Sequence, residues 1–218
     1  MDIKICGFST EESVDAVIAA GGTHVGFIFF EKSPRFVSVA RAAELSARAQ
    51  AAGLSSVAVT VDADDAYLDE IANVMKPDMM QLHGSEPPQR VMDIKARYGL
   101  PVMKAIALSE PADLAKIDIY KDVADRLLFD AKPPKGSELP GGNAVSFDWS
   151  LLNALDPSVR YMLSGGLNHD NVGAAIKFAD PPGLDLSSGV ESAPGVQDIG
   201  LIASLFDAIN QARKESES

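Results

Sequence analysis

Eight short β-rich runs, each followed by a segment patterned for a helix, recur along the whole chain, and this alternation limits the fold more than any other feature. The runs cover residues 3–6, 24–30, 56–61, 79–83, 102–107, 127–130, 161–163 and 184–186. Between and after them, residues 11–20, 39–52, 66–75, 89–97, 114–123, 149–155, 171–178 and 198–213 read as helices. Ser9 or Thr10 can cap the first helix, Gly21-Gly22 ends it, and Gly53 stops the second. Pro111, Pro133, Pro134 and Pro140 interrupt the pattern around the fifth and sixth helices. Eight βα units predict an α/β chain folded as a single-domain (β/α)8 TIM barrel over residues 1–213, with residues 214–218 as a polar tail. At 218 residues it would lie near the lower limit of about 200 for such barrels. An open doubly wound sheet competes, but Cys6-Gly7-Phe8-Ser9 stands where a dinucleotide fingerprint would follow the first strand.

Charge and cysteine usage exclude several functions. Lys and Arg number 19 against 31 Asp and Glu, a net charge of −12, which opposes binding to nucleic acid or an anionic membrane. The longest apolar run, residues 25–30, is far short of the roughly 20 needed to span a bilayer, and the first residues lack a signal peptide's basic and apolar regions. A cytoplasmic protein is expected. Cys6 is the only cysteine, so no intrachain disulfide and no cysteine-based metal cluster can form. Without a heptad run or a long exposed apolar stripe, a monomer is expected.

In a barrel of this kind reactive groups sit at the C-terminal ends of the strands, and phosphate is commonly held by the loops after strands 7 and 8. Those loops are Ser164-Gly165-Gly166-Leu167 and Ser187-Ser188-Gly189-Val190, which suggest a phosphorylated small-molecule ligand. Glycines after strands are also ordinary turn residues. Other strand ends carry Cys6, Arg35, Gln81, His83 and Asp130. Cys6 is either a small buried hydrophobe or a reactive thiol. Asp130 is a cap, an ion-pair partner or an acid at the mouth. His83 is a ligand, a base or a satisfied polar group, and with no second histidine at metal spacing no metal is expected. Arg35 covers surface or captures a carboxylate bidentately.

Seven segments in one order carry a family resemblance: Lys4-Ile5-Cys6-Gly7; Gly26-Phe27-Ile28-Phe29 with Ser33-Pro34-Arg35; Gln81-Leu82-His83-Gly84; Leu128-Phe129-Asp130; Gly141-Gly142 with Phe147-Asp148-Trp149; Ser164-Gly165-Gly166-Leu167; and residues 185–191. On these the chain resembles the phosphoribosylanthranilate isomerases of tryptophan biosynthesis over nearly its whole length. The resemblance implies an Amadori rearrangement without cofactor or metal. It further implies that Asp130 is the general acid opening the ribose ring, Cys6 the base removing the C2′ proton, and Arg35 the partner of the anthranilate carboxylate. Gln81 and His83 would contact substrate, and Gly165, Gly166, Ser188 and Gly189 would cradle phosphate.

Free aspartate (pKa about 3.9) and free thiol (about 8.5) have the wrong protonation states at pH 7 for these roles, so the site must alter both. Lys4 shares strand parity with Cys6 and is expected inside the barrel, either lowering the thiol's pKa or pairing with a buried carboxylate. The chain departs from the family pattern at Gly141-Gly142-Asn143-Ala144 and at Gln197, where a lysine is common, and a raised KM is expected. Two other readings are a related sugar-phosphate aldose-ketose isomerase, for which a carboxylate would be expected at position 6, and a non-catalytic phosphate-ligand barrel.

Overall fold

The computed structural model describes residues 1–133, 136, 137, 139, 141, 142 and 146–216. Eight parallel strands close in sequence order into a barrel: β1 (Asp2–Cys6), β2 (His24–Phe29), β3 (Ser55–Thr60), β4 (Met79–Leu82), β5 (Val102–Leu108), β6 (Arg126–Ala131), β7 (Tyr161–Leu163) and β8 (Gly183–Leu186). Around it run α1 (Glu11–Ala20), α2 (Val39–Ala51), α3 (Asp65–Val74), α4 (Pro88–Tyr98), α5 (Ala115–Tyr120), α6 (Val172–Ala179) and α7 (Ile199–Ser216).

Local chemistry sets many of these boundaries. The Thr10 hydroxyl accepts from Ser13 N at the start of α1, and Gly21 closes that helix in the left-handed region. Ser38 and Asp64 cap α2 and α3 in the same way. Three regions differ from the sequence expectation. A 3-10 turn, Pro111–Leu114, precedes a short α5, because proline starts a turn readily but cannot donate within it. Trp149–Ala154 is 3-10 rather than α, with Pro157 following closely, which disfavours further helix. The last helix continues through Ser216, so Lys214 and Glu215 are helical rather than tail, and Glu215 ties back to Lys177 of α6 at 2.6 Å. Unforeseen was a small antiparallel hairpin after β8, β9 (Glu191–Ala193) with β10 (Val196–Gln197).

The two-residue alternation of the strands divides the buried residues into two sets. Ile3, Ile5, Val25, Phe27, Leu127 and Phe129 point outward and pack with the helices. Cys6, Val57, Val59, Met103, Leu128 and Met162 fill the barrel itself. Gln81 and Asp130 share the inward parity of their strands, so at the C-terminal end of the barrel the filling changes from apolar to polar.

Between the sheet and the helices lies a buried ion pair. Lys104 of β5 donates to Glu86 Oε2 at 3.0 Å and to the carbonyls of Leu82 and Gly84 at 3.2 and 2.7 Å. Glu86 also accepts from the backbone N–H groups of Asp62 and Gly84. This cluster fastens the loops after β3 and β4. Removing one partner of a buried pair leaves an uncompensated charge and costs about 3–5 kcal/mol. Lys104→Met should therefore lower the melting temperature by roughly 10 °C, as measured by differential scanning calorimetry.

Candidate active site

The C-terminal ends of the strands surround a cavity of about 810 Å³, open to solvent and lined by Cys6, Arg35, Gln81, His83, Asp130, Gly165, Gly166, Asp185 and Ser188, among others. Eight of the nine expected site residues thus converge on one mouth. Gly189 is not among the lining residues. A Cβ there would come 1.9 Å from the carbonyl oxygen of Leu167, so Gly189 serves the close crossing of the two loops. Gly165 is bound by similar geometry, with φ +91° and room for a Cβ only 2.9 Å from Ala131 N.

Cys6 ends β1 in the barrel interior, 4% exposed. Lys4, two residues back, points the same way and is fully buried, with Nζ 2.7 Å from Asp185 Oδ1 of β8. The Lys4 and Cys6 side chains occupy the space beside Gly26, where a Cβ would meet Cys6 Sγ at 2.7 Å and Lys4 Nζ at 3.1 Å. Burial disfavours the Lys4 ammonium, but Asp185 and Cys6 together outweigh it and its pKa is raised. Both alternatives for Lys4 hold in part: it pairs with a buried carboxylate, and it acts to lower the thiol's pKa, but burial outweighs that effect. Burial pushes the Cys6 thiol up to about 11, with Lys4 opposing that rise and Asp185 reinforcing it.

Asp130, three strands from β1 around the barrel, is 6% exposed. Its Oδ2 lies 3.3 Å from His83 Nε2, and His83 Nδ1 lies 3.0 Å from Gln81 Nε2. Gly141 sits directly on this contact, since a Cβ there would fall 2.6 Å from Asp130 Oδ2 and 2.7 Å from His83 Nε2.

Arg35 is 6% exposed and already engaged. Nε and Nη2 donate to Glu191 Oε1 and Oε2 at 2.6 and 2.8 Å, and Nη2 also reaches the Gly142 carbonyl at 3.4 Å. Only part of the guanidinium edge remains toward the cavity, so a ligand carboxylate would meet a cation half-neutralised and rigidly oriented by Glu191. Sequence reasoning missed the roles of Glu191 and Asp185. Both lie inside a quoted motif, but their partners are 156 and 181 residues away in sequence. Gln197 donates to the Cys6 carbonyl at 3.3 Å and does not line the cavity. Asn143, Ala144, Pro134 and Pro140 lie outside the described residues, as do residues 217–218.

Titratable groups held on opposing strands over one cavity place the protein among the (β/α)8-barrel enzymes that work by moving protons. A family model described as N-(5′-phosphoribosyl)anthranilate (PRA) isomerase matches residues 3–208. The isomerases of that name from Mesorhizobium japonicum and Agrobacterium fabrum are 60% and 59% identical to this chain, covering 99% and 98% of it and 98% and 96% of themselves. Among solved structures, the phosphoribosylanthranilate isomerase of Thermotoga maritima superposes with a TM-score of 0.86 at 32% identity, over 97% of this chain and 99% of that one. Another, in complex with reduced 1-(o-carboxyphenylamino)-1-deoxyribulose 5-phosphate, gives 0.84 at 30% identity, over 97% of this chain and 99% of that one. The chain belongs to the N-(5′-phosphoribosyl)anthranilate isomerase family.

The environment of Cys6 makes a measurable prediction. Thiolate absorbance should titrate with a midpoint near 11 in the native protein. Because Lys4 opposes the rise, Lys4→Met should move the midpoint higher still. An unchanged midpoint would remove Lys4 from any influence on the thiol.

Proposed function

We propose that this chain converts N-(5′-phosphoribosyl)anthranilate to 1-(2-carboxyphenylamino)-1-deoxyribulose 5-phosphate, the isomerisation of tryptophan biosynthesis, with Asp130 as general acid and Cys6 as general base. The observation that carries the assignment is the placement of a buried thiol on β1 and a buried carboxyl on β6, both lining one cavity from different sides. Asp130 gives a proton to the ribose ring oxygen as the C1′–O bond breaks and the anthranilate nitrogen forms an iminium with C1′. Cys6, as thiolate, removes the C2′ proton, which the adjacent iminium acidifies, and an enolamine forms. The 2′-hydroxyl then loses its proton while C1′ gains one, giving the ketone. Two protons are added and two removed, so the rearrangement is a balanced isomerisation.

The active form needs a proton on Asp130 and none on Cys6, the reverse of the ordinary order for the free groups. It contains as many protons as the form with the thiol protonated and the carboxylate ionised, so reaching it is an internal redistribution. Lys4, charged and beside the thiol, favours the thiolate once the proton has left. The iminium adds a second positive charge in the same cavity, and exclusion of water strengthens both effects.

Binding follows from the rest of the mouth. The cavity-facing edge of Arg35 receives the anthranilate carboxylate, Gln81 and His83 line the wall beside the ribose, and the loops of Gly165-Gly166 and Ser188-Gly189 receive the phosphate through backbone donors. The ligand is thereby stretched from β2 to β7 and β8, passing between acid and base. The chain acts as a monomer in the cytoplasm in this reading. Its exposed large apolar side chains, including Val74, Met92, Ile119 and Phe178, lie on different helices, and no described helix is long and apolar enough to cross a membrane.

The test is loss of substrate fluorescence with purified protein and the variants Cys6→Ser and Asp130→Asn. Each should lower kcat by about 10²–10⁴-fold while a product analogue still binds. Wild-type-like turnover by either variant would contradict that residue's role.

A further inference from the structure

We infer that His83 is the proton reservoir of Asp130: the imidazole hands its Nε2 proton to the Asp130 carboxylate, which passes it to the substrate. This deepens the function proposed above and rests on Asp130 being the acid.

The two groups lie within ion-pair distance of each other. His83 Nε2 and Asp130 Oδ2 face each other at 3.3 Å, within the mouth, where the Cα of Gly141 covers the contact. Three ties fix the backbone of His83. Its own N–H donates to the Thr60 carbonyl at 2.8 Å, and Lys104 grips the carbonyls of the residues on either side, Leu82 and Gly84. A buried lysine spent on two carbonyls that flank one histidine is costly unless the position of that histidine matters.

The other ring nitrogen has a partner suited to change. Gln81 is 1% exposed and offers its amide to His83 Nδ1, while its Oε1 is buried with no hydrogen-bond partner. With one end unbonded, the amide can present either N–H or C=O to Nδ1, donating to a bare nitrogen or accepting from a protonated one. Nδ1 carries a proton both before and after a transfer from Nε2, and the amide turned with its oxygen toward Nδ1 accepts that proton in both states.

The step balances. In the loaded state His83 is an imidazolium and Asp130 a carboxylate. The Nε2–H bond breaks as the Oδ2–H bond forms, leaving a neutral imidazole whose Nδ1–H is accepted by Gln81. The carboxyl then protonates the ribose ring oxygen and returns to carboxylate. Because isomerisation changes no net proton count, a proton released from the substrate later restores the imidazolium. Asp130 from β6 and Asp185 from β8 face the imidazole with negative charge. Lys4 and Arg35 are each paired with a carboxylate, and Lys104 and Glu86 pair with each other behind the loop.

The deciding variant is His83→Gln, which keeps a polar side chain beside Asp130 but cannot titrate. The pH dependence of kcat/KM is measured for it and for wild type, with Asp130→Asn as control. The reservoir predicts that kcat at pH 7.5 falls tenfold or more with KM within threefold, and that the alkaline limb moves at least one pH unit toward acid. An unshifted profile would make His83 an orienting group only, and a rise in KM alone would make it a substrate contact. Either result overturns the inference while leaving an inactive Asp130→Asn, and with it the proposed acid, intact. Full turnover by Asp130→Asn overturns both. If His83→Gln does not fold, imidazole nitrogen NMR of the chain's three histidines serves instead. The His83 midpoint should fall in Asp130→Asn, which removes the facing anion, and an unchanged midpoint overturns the inference.

Discussion

The ion pair between Lys4 and Asp185 sits at the seam where the sheet closes on itself, and the arrangement of the mouth depends on it. The register of β1 against β8 sets these two residues directly opposite each other, both with inward parity. Two charges inside a barrel are tolerated only as a close pair, and this one is made at 2.7 Å. A register slip would separate them and turn one charge toward the apolar helix layer, so the pair selects the closure that is seen. Cys6, one inward position further along β1, then stands at the floor of the mouth with an ammonium beside it. The same constraint thus decides both how the barrel closes and where the thiol lies.

From that seam the polar groups in and behind the mouth form separate pairs. Lys4 is held by Asp185, Arg35 by Glu191, Lys104 by Glu86 and Asp130 by His83. In a chain carrying −12 overall, pairing prevents stray anions from repelling a doubly anionic ligand. Three of these pairs fix geometry. The fourth, between an imidazole and a carboxyl, has both its members on the cavity wall.

The alternation of runs and helices, with the parity of each strand, was enough to read the barrel, and the loops after β7 and β8 stood where such barrels hold phosphate. Cys6, Arg35, Gln81, His83 and Asp130 were legible because strand ends in a barrel have one address. What could not be read were the partners. Asp185 and Glu191 meet Lys4 and Arg35 only after the ring closes, and nothing local in the sequence pairs them. For that reason the sequence left Lys4 open between lowering the thiol's pKa and pairing with an unnamed carboxylate, whereas in the fold it pairs with Asp185 and its pull on the thiol is outweighed by burial. The weaker helices failed for a local reason, since prolines near residues 111 and 157 favour 3-10 turns over α-helix.

The central claim is that acid and base address one ligand from different walls of the barrel. The most direct measurement is a crystal structure of this protein with the reduced product analogue bound. The account predicts the C2′ carbon within about 4 Å of Cys6 Sγ and the former ring oxygen within about 3 Å of Asp130, with phosphate on the loops after β7 and β8. A ligand bound with its phosphate toward Arg35, or with both reacting atoms beyond reach of Cys6 and Asp130, would contradict it.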